Sequence, residues 1–299
     1  MKAWLYRDFK WWFSGWLFLF ICSGFIYSHD ADIGRMLLQF VGTLLVALLT
    51  AMAAFDHMNT NEKRKIAREQ YQNYSYLLSA LDERYQNIIT MRDLYAPLFD
   101  VDSYMRGLTP PYLYKRDVSS APALHTLNFL MKQYTSRSFN DWESVKHSGF
   151  NTGQISKLFS DYDYIVKLVD RRNEIFKSRI LDTLDRYYSG NGVTQISAAN
   201  LSQHGLPYAQ LTNFLMLTEQ IMEMTDTLYH QLRLAIEDLN KGRKQVLDSE
   251  IAQENFGFPV MKYSFEDDGL HYKPLSNKEM LKMSQRDYYS HRDYRQRFF

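Results

Sequence analysis

The chain has 299 residues, of which 45% are hydrophobic and 15% aromatic, so it can hold a membrane segment and one or two soluble domains. Its formal net charge of +1 excludes the strongly basic domain that is typical of nucleic-acid-binding proteins. Only 13 Gly and 7 Pro residues are present, which favours long helices. The single cysteine, Cys22, excludes an intrachain disulfide, and it lies inside an apolar run that offers no cysteine-based site.

Two uncharged apolar segments lie near the N-terminus, at residues 11–27 and 36–55. With a rise of about 1.5 Å per residue, they suit the roughly 30 Å hydrocarbon core of a bilayer. Bulky aromatic residues in the first segment, with no small-residue cleavage site after it, argue against a cleaved signal peptide. We therefore predict a two-span transmembrane hairpin in residues 1–58. Its interfacial anchors are aromatic residues at the ends of the first span: Trp11, Trp12 and Tyr27.

Basic residues near the spans predict the orientation of the hairpin. The connecting loop carries only Arg35, whereas three basic residues precede the first span and four follow the second. Because Lys and Arg accumulate on the cytoplasmic side, both termini are predicted to be cytoplasmic and the protein to lie in the inner (plasma) membrane. The flanking basic residues are Lys2, Arg7, Lys10, Lys63, Arg64, Lys65 and Arg68.

One face of the second span carries small and polar side chains at helical spacing: Gln39, Thr43, Ala47, Thr50 and Ala54. Small residues let helices approach closely in lipid, where hydrophobicity alone does not drive association. In one interpretation this face packs against the first span. In the other it faces copies of the chain or lines a water-filled pore. Gln39 favours the second interpretation, because an amide in lipid requires a polar partner.

Residues 59–299 read as successive helices, which predicts a cytoplasmic bundle with long antiparallel helices. A capping box formed by Ser276 and Glu279 marks the start of the last helix. Residues 256–274 contain turn residues and alternating apolar positions, typical of a small hairpin or an ordered loop. The predicted segments are a stalk helix 59–98, a loop 100–122, a short helix 124–134, long helices 154–188 and 207–240, and a C-terminal helix 277–297. The predicted fold class is an all-α membrane protein.

The sequence contains none of the common nucleotide-binding or metalloprotease motifs. Its eight histidines are scattered, and none pairs with another at a helical ligand spacing, so the fold would have to assemble a histidine metal site. The acidic residues near 161–163 and 266–268 resemble solvated surface groups. We therefore predict no metal, no cofactor and no enzymatic activity.

The C-terminal tail combines arginines with aromatic residues that could contact a protein partner, nucleic acid or lipid phosphates: Arg286, Arg292, Tyr294, Arg295 and Arg297. An ordinary helical face, or an arm docked on a neighbouring subunit, is the alternative. The spacing of Arg286 and His291 also resembles the R-x4-6-H motif of HEPN-type ribonucleases, which implies RNA cleavage by these two residues at a dimer interface.

The layout as a whole, a short hairpin followed by a helical body without catalytic motifs, resembles the two-span membrane effectors of bacterial anti-phage systems. These are the effectors linked to retrons or to cyclic-nucleotide signalling. The resemblance implies an oligomer whose cytoplasmic body binds a protein or ribonucleoprotein partner and controls membrane permeability. Two alternatives remain at this point: a membrane-tethered scaffold that recruits a protein or nucleic acid, and the HEPN-like ribonuclease.

Overall fold

The computed structural model describes residues 2–28, 30–110, 112–133, 145–146, 148–182, 207–262 and 269–282, with side chains described from Ser14 onward. Within these ranges the chain forms helices and no β-strand, which confirms the predicted all-α class. The α-helices are α1 (Lys2–Tyr27), α2 (Ala31–Tyr95), α3 (Thr152–Ile175), α4 (Tyr208–Val246), α5 (Ser249–Glu254) and α6 (277–282). Shorter elements are the 3₁₀ helices Ala96–Leu98, Tyr104–Leu108 and Leu124–Gln133 and a π-helical turn Phe176–Ile180 that continues α3.

The chain divides into two compact units, Met1–Arg68 and Glu69–Phe299. In the N-terminal unit, α1 and α2 are joined by a tight turn. Asp30 caps α2, because its Oδ1 accepts hydrogen bonds from the backbone N–H groups of Asp32 (3.1 Å) and Ile33 (3.3 Å). A Cβ at Gly34 would lie 2.2 Å from the Cα of Tyr27, so only glycine permits this close approach of the two helices.

Helix α2 is long and apolar enough to cross a membrane, and only 6% of its most apolar 18-residue stretch is buried. A core helix of a soluble protein with this composition would be mostly buried. The described apolar part of α1, Ser14–Tyr27, is shorter and would extend for about 21 Å. Length and composition thus give one candidate membrane-crossing helix near the N-terminus, and the predicted first span stays a prediction.

In the C-terminal unit, the second half of α2 packs with α3 and α4 around the larger of two hydrophobic clusters. Helices α2 and α4 run antiparallel, because Tyr74 donates a hydrogen bond to the carbonyl of Leu239 (2.5 Å) and Arg92 donates to Asp226 (2.8 Å). The periodic apolar positions of the sequence are buried here. They include Leu77, Leu81, Ile88, Ile155, Leu158, Tyr162, Ile165, Leu228, Leu232 and Ile236.

Several predicted bounds differ from the observed ones. The stalk helix 59–98 continues the second span without a break, as the absence of Gly and Pro before Pro97 predicts, but α2 ends at Tyr95, where Pro97, which lacks a backbone N–H, coincides with its change to a 3₁₀ turn. Helix α4 passes the buried Gly242 and ends at Val246, because packing of the final turn outweighs the low helix propensity of glycine. Part of the predicted loop 100–122 is the 3₁₀ helix Tyr104–Leu108, and residues 124–133 are 3₁₀ rather than α-helical.

The remaining segment predictions are only partly covered by the described residues. The predicted helix 154–188 corresponds to α3 and the π turn as far as residue 182. The described parts of 256–274 form an ordered loop without strands. The predicted C-terminal helix begins at residue 277 and is described to residue 282.

Candidate functional site

Residues 269–282, here called the C-terminal strap, pack against α2 and α4 around buried charged groups. Arg92 donates through Nε to Oδ1 of Asp226 at 2.8 Å, and it also donates to the carbonyl of Leu270. The second oxygen of Asp226 accepts the backbone N–H of Tyr272 at 2.9 Å. Because side-chain exposure is only 3% for Arg92 and 9% for Asp226, water competes little with this ion pair.

A second buried ion pair holds the next residues of the strap. Arg106 makes a bidentate contact with Glu219, with Nε to Oε1 at 2.8 Å and a second nitrogen to Oε2 at 2.5 Å. The same guanidinium donates to the carbonyl of Lys273 in the strap at 2.9 Å. The Tyr272 hydroxyl donates to Glu219 at 3.0 Å, and burial together with the Glu219 charge raises the pKa of Tyr272.

The end of the strap departs in one respect from the predicted capping box. The Ser276 hydroxyl accepts the backbone N–H of Glu279 at 3.4 Å, as predicted. The Glu279 carboxylate does not return to Ser276 but accepts the backbone N–H of Tyr104 at 3.2 Å. Asp102 instead accepts the Ser276 N–H at 2.9 Å. The strap is therefore tied to the segment around the 3₁₀ helix Tyr104–Leu108 by two reciprocal carboxylate contacts.

These carboxylates make the strap sensitive to acid. The backbone hydrogen bond from Ser276 lowers the pKa of Asp102, and the contacts of Glu279 with Lys282 and with the Tyr104 N–H lower the pKa of that carboxyl. A group whose pKa is lower in the folded chain stabilises the fold above its unfolded pKa, near about 4, and this contribution is lost as the pH falls further.

We therefore expect amide protection in the strap to fall between about pH 5 and about pH 3, before the core of α4 loses protection. Hydrogen exchange, expressed as protection factors to remove the intrinsic pH effect, measures this loss. A double variant, Asp102→Asn with Glu279→Gln, should have a loosened strap already at pH 5 and little further acid response. Equal acid responses in both proteins would contradict the assignment to these two groups.

A cluster of three potential metal ligands lies where the strap meets α4. Nε2 of His230 is 3.1 Å from Nδ1 of His271 and 3.6 Å from Oδ1 of Asp226. The ligand atoms of the three residues all lie within 4.8 Å of one another. Asp226 is buried, His230 is half-buried and His271 is exposed, so the cluster opens to solvent on one side.

This cluster was not predicted from the sequence. Asp226 and His230 are four residues apart on α4, a spacing that places two side chains on one helical face, and this signal was readable from the sequence. His271 lies 41 residues beyond His230 and reaches it only through the fold of the strap. The pair combines a carboxylate with a histidine, so the spacing of the histidines alone does not reveal it.

In the N-terminal unit, the small and polar face of α2 points away from the described side chains of α1. All five of its residues, Gln39, Thr43, Ala47, Thr50 and Ala54, are exposed. The contact with α1 lies on the other side of α2, where Val41 is buried and its carbonyl accepts a hydrogen bond from Trp16 Nε1 at 3.1 Å. Val41 follows Gln39 by two residues, or about 200° around the helix.

The hydroxyl groups on this face are satisfied within α2. Thr43 donates to the carbonyl of Gln39 and Thr50 to that of Val46, both at 2.8 Å. Such bonds to the preceding turn allow threonine to lie in an apolar environment without another partner. Among the polar residues of this face, Gln39 therefore has the strongest need for a polar partner outside α2, because its side chain ends in an amide.

Only some of the other predicted site residues lie in the described part of the chain. Tyr27 is exposed at the end of α1, as an interfacial anchor requires. The side chains of Trp11 and Trp12 lie outside the described part of the chain. The same holds for the predicted tail contacts and the HEPN-like pair: Arg286, His291, Arg292, Tyr294, Arg295 and Arg297.

No known protein family, curated protein or solved structure matches this chain. Its own residues are therefore the guide to its function.

Proposed function

We propose that this chain is a membrane effector that associates with copies of itself through the Gln39–Ala54 face of α2 and thereby changes membrane permeability. In this proposal α1 and the first half of α2 form a two-span hairpin in the inner membrane, with both termini cytoplasmic. The supporting observation is that α2 carries an exposed apolar stretch whose small and polar face points away from α1.

The chemistry of this face favours association between copies. In lipid, apolar surface gives no driving force for helix pairing, so close packing of small residues and interhelical hydrogen bonds must supply it. Ala47 and Ala54 permit close approach, and two Gln39 amides can each donate to and accept from the other. Because the threonine hydroxyls are satisfied internally, the face can pack in a dry contact and does not require water.

In this proposal, the C-terminal unit is the part of the protein through which membrane permeability is regulated. In the proposal its helices, including the strap, form the cytoplasmic bundle that oligomerises or holds a protein or ribonucleoprotein partner. No enzymatic step is part of this proposal. The resemblance in layout to anti-phage effectors supports a role in defence, in which a cytoplasmic trigger acts on the membrane segment.

A matched pair of alanine substitutions tests the association face. Ala47→Leu adds bulk on the face, whereas Ala53→Leu makes the same chemical change about 120° away on the same helix, at another exposed position. We expect Ala47→Leu to abolish both the crosslinked oligomer and the loss of membrane potential on expression, while Ala53→Leu behaves like the wild type. Equal behaviour of the two variants would contradict a specific face.

Exchange of the hairpin distinguishes an effector from a tethered scaffold. If residues 1–58 are replaced by an unrelated two-span anchor, we expect depolarisation to disappear although the protein still reaches the membrane. Retained function with the foreign anchor would instead support the scaffold, because any anchor satisfies a tether.

The number of spans is tested by cysteine labelling in a Cys22→Ser background. In the proposed topology, Asp32→Cys lies outside and reacts with a membrane-impermeant maleimide in intact cells. Asn61→Cys lies on the cytoplasmic side and reacts only after permeabilisation. Labelling of both positions from the same side would contradict the two-span hairpin.

A further inference from the structure

We propose that Asp226, His230 and His271 form a binding site for a divalent transition-metal ion of the Zn²⁺ type, which fastens the C-terminal strap to α4. The proposal is independent of the membrane function, since it concerns residues of the C-terminal unit alone.

The positions of the ligand atoms suit such an ion. A tetrahedral Zn²⁺ with ligand distances of about 2.0–2.1 Å keeps its ligand atoms about 3.3 Å apart. The nitrogens of His230 and His271 are 3.1 Å apart, and the nearer oxygen of Asp226 is 3.6 Å from the His230 nitrogen. Both of these separations therefore match edges of the tetrahedron within a few tenths of an ångström, which small side-chain rotations would absorb.

The surrounding groups orient the carboxylate ligand. Asp226 receives Arg92 Nε on one oxygen and the Tyr272 N–H on the other, so its plane is fixed before an ion binds. Hydrogen bonds of this kind to ligand groups are typical of metal sites in proteins. Each carboxylate oxygen retains a second lone pair for a metal.

The charges and ligand types select the ion. Arg92 offsets the charge of Asp226, and the remaining two ligands are neutral imidazoles, so the site offers little to Ca²⁺ or Mg²⁺, which require several oxygen ligands. Imidazole nitrogen favours Zn²⁺, Cu²⁺, Ni²⁺ and Co²⁺. Since His271 is exposed, water can complete the coordination sphere from the open side.

A hydrogen bond between the two imidazoles would also hold them 3.1 Å apart, with one ring donating and the other accepting. For metal binding, the donor ring changes tautomer and moves its proton to its other ring nitrogen, so that the two facing nitrogens and the carboxylate can all contact the ion. The two arrangements differ in a measurable way, because only the metal site retains a stoichiometric ion and strengthens the strap when that ion is added.

The test uses the full chain in detergent, stripped with a chelator and titrated with Zn²⁺ against a chromophoric competitor. The wild type should take up one ion at this site. His230→Gln and His271→Gln should each lower the Zn²⁺ affinity by about tenfold or more. His125→Gln, which changes an exposed histidine elsewhere in the unit, should leave the affinity unchanged.

A structural readout accompanies the titration. Zn²⁺ should slow hydrogen exchange of the strap in the wild type and in His125→Gln, but not in the other two variants, whose metal-free melting temperatures should match the wild type. Wild-type affinity in His230→Gln and His271→Gln would overturn the proposal. So would binding without added protection of the strap, since the ion would then lie elsewhere.

Discussion

Replacement of Arg106 by alanine is expected to lower the free energy of unfolding by about 3–5 kcal/mol, because it leaves Glu219 as a buried carboxylate without its cation. The side chain of Arg106 is 1% exposed and that of Glu219 11% exposed. The same guanidinium also donates to the carbonyls of Leu98, Phe99, Val101 and Lys273. Its loss therefore removes, in one step, the contacts that join α4, the segment after α2 and the strap. Chemical denaturation of the full chain in mild detergent measures the change.

Two further variants separate the effect of burial on stability from the effect of charge. Lys157→Ala removes an ion pair of similar length, 2.5 Å to Asp161, in which the lysine side chain is 55% exposed, and it should cost no more than about 1 kcal/mol. Arg106→Lys keeps the positive charge but loses the planar set of donors, so it should lie between these two results. Equal costs for Arg106→Ala and Lys157→Ala would contradict the importance of burial.

The helices of the C-terminal unit could be predicted from the sequence because an amphipathic helix repeats its apolar side chains every three or four residues. Leu77, Leu81 and Ile88 of α2 are buried on the face that this spacing predicts. The ends of the helices were harder to predict. Gly242 has the local signature of a terminator, yet α4 continues through it, because the packing of Val246 and Leu247 is a property of the tertiary fold.

The buried ionic groups could not be predicted from the sequence. Arginine is normally a surface residue, so the local sequence does not mark the four buried arginines of α2, α3 and the 3₁₀ helix Tyr104–Leu108 as buried. Their partners are remote: Asp226 is 134 residues from Arg92, and Glu219 is 113 residues from Arg106. Only the packed fold brings such groups together. The buried arginines are Arg84, Arg92, Arg106 and Arg172.

The candidate sites differ in the same way: one lies on a single helix, and the other depends on the tertiary fold. The polar face of α2 is a periodic feature of one helix, so Gln39, Thr43 and Thr50 could be grouped from their spacing alone. Whether α1 covers that face depends on the turn at Asp30 and Gly34, which only the fold specifies. The metal-ligand cluster joins α4 to the strap and needs both a local pair, Asp226 and His230, and a distant residue. Spacing along one helix can group the residues of one face, whereas a site assembled from two elements requires the fold.

Replacement of Gly149 by alanine is expected to destabilise the C-terminal unit by about 3 kcal/mol or more, because the new methyl group meets the backbone of α4. A Cβ at this position would lie 2.3 Å from the carbonyl oxygen of Ala235 and 3.0 Å from both its carbonyl carbon and its Cα. A helix backbone cannot rotate away as a side chain can. The segment before α3 must therefore move, which also weakens the hydrogen bond from the Gly149 N–H to Asp238 at 3.3 Å.

Two comparisons distinguish this backbone clash from a general intolerance of the region. Gly153→Ala, in the first turn of α3, meets only the tip of the Asn151 side chain at 3.2 Å, and it should change the stability by less than about 1 kcal/mol. Ala235→Gly should not rescue Gly149→Ala, because the clashing atoms of Ala235 belong to its backbone and remain in the variant. A double-mutant cycle measures this directly, and we expect a coupling energy below about 0.5 kcal/mol. Substantial rescue would mean that a side-chain contact, rather than the close approach of two backbones, sets the position of α3 on α4.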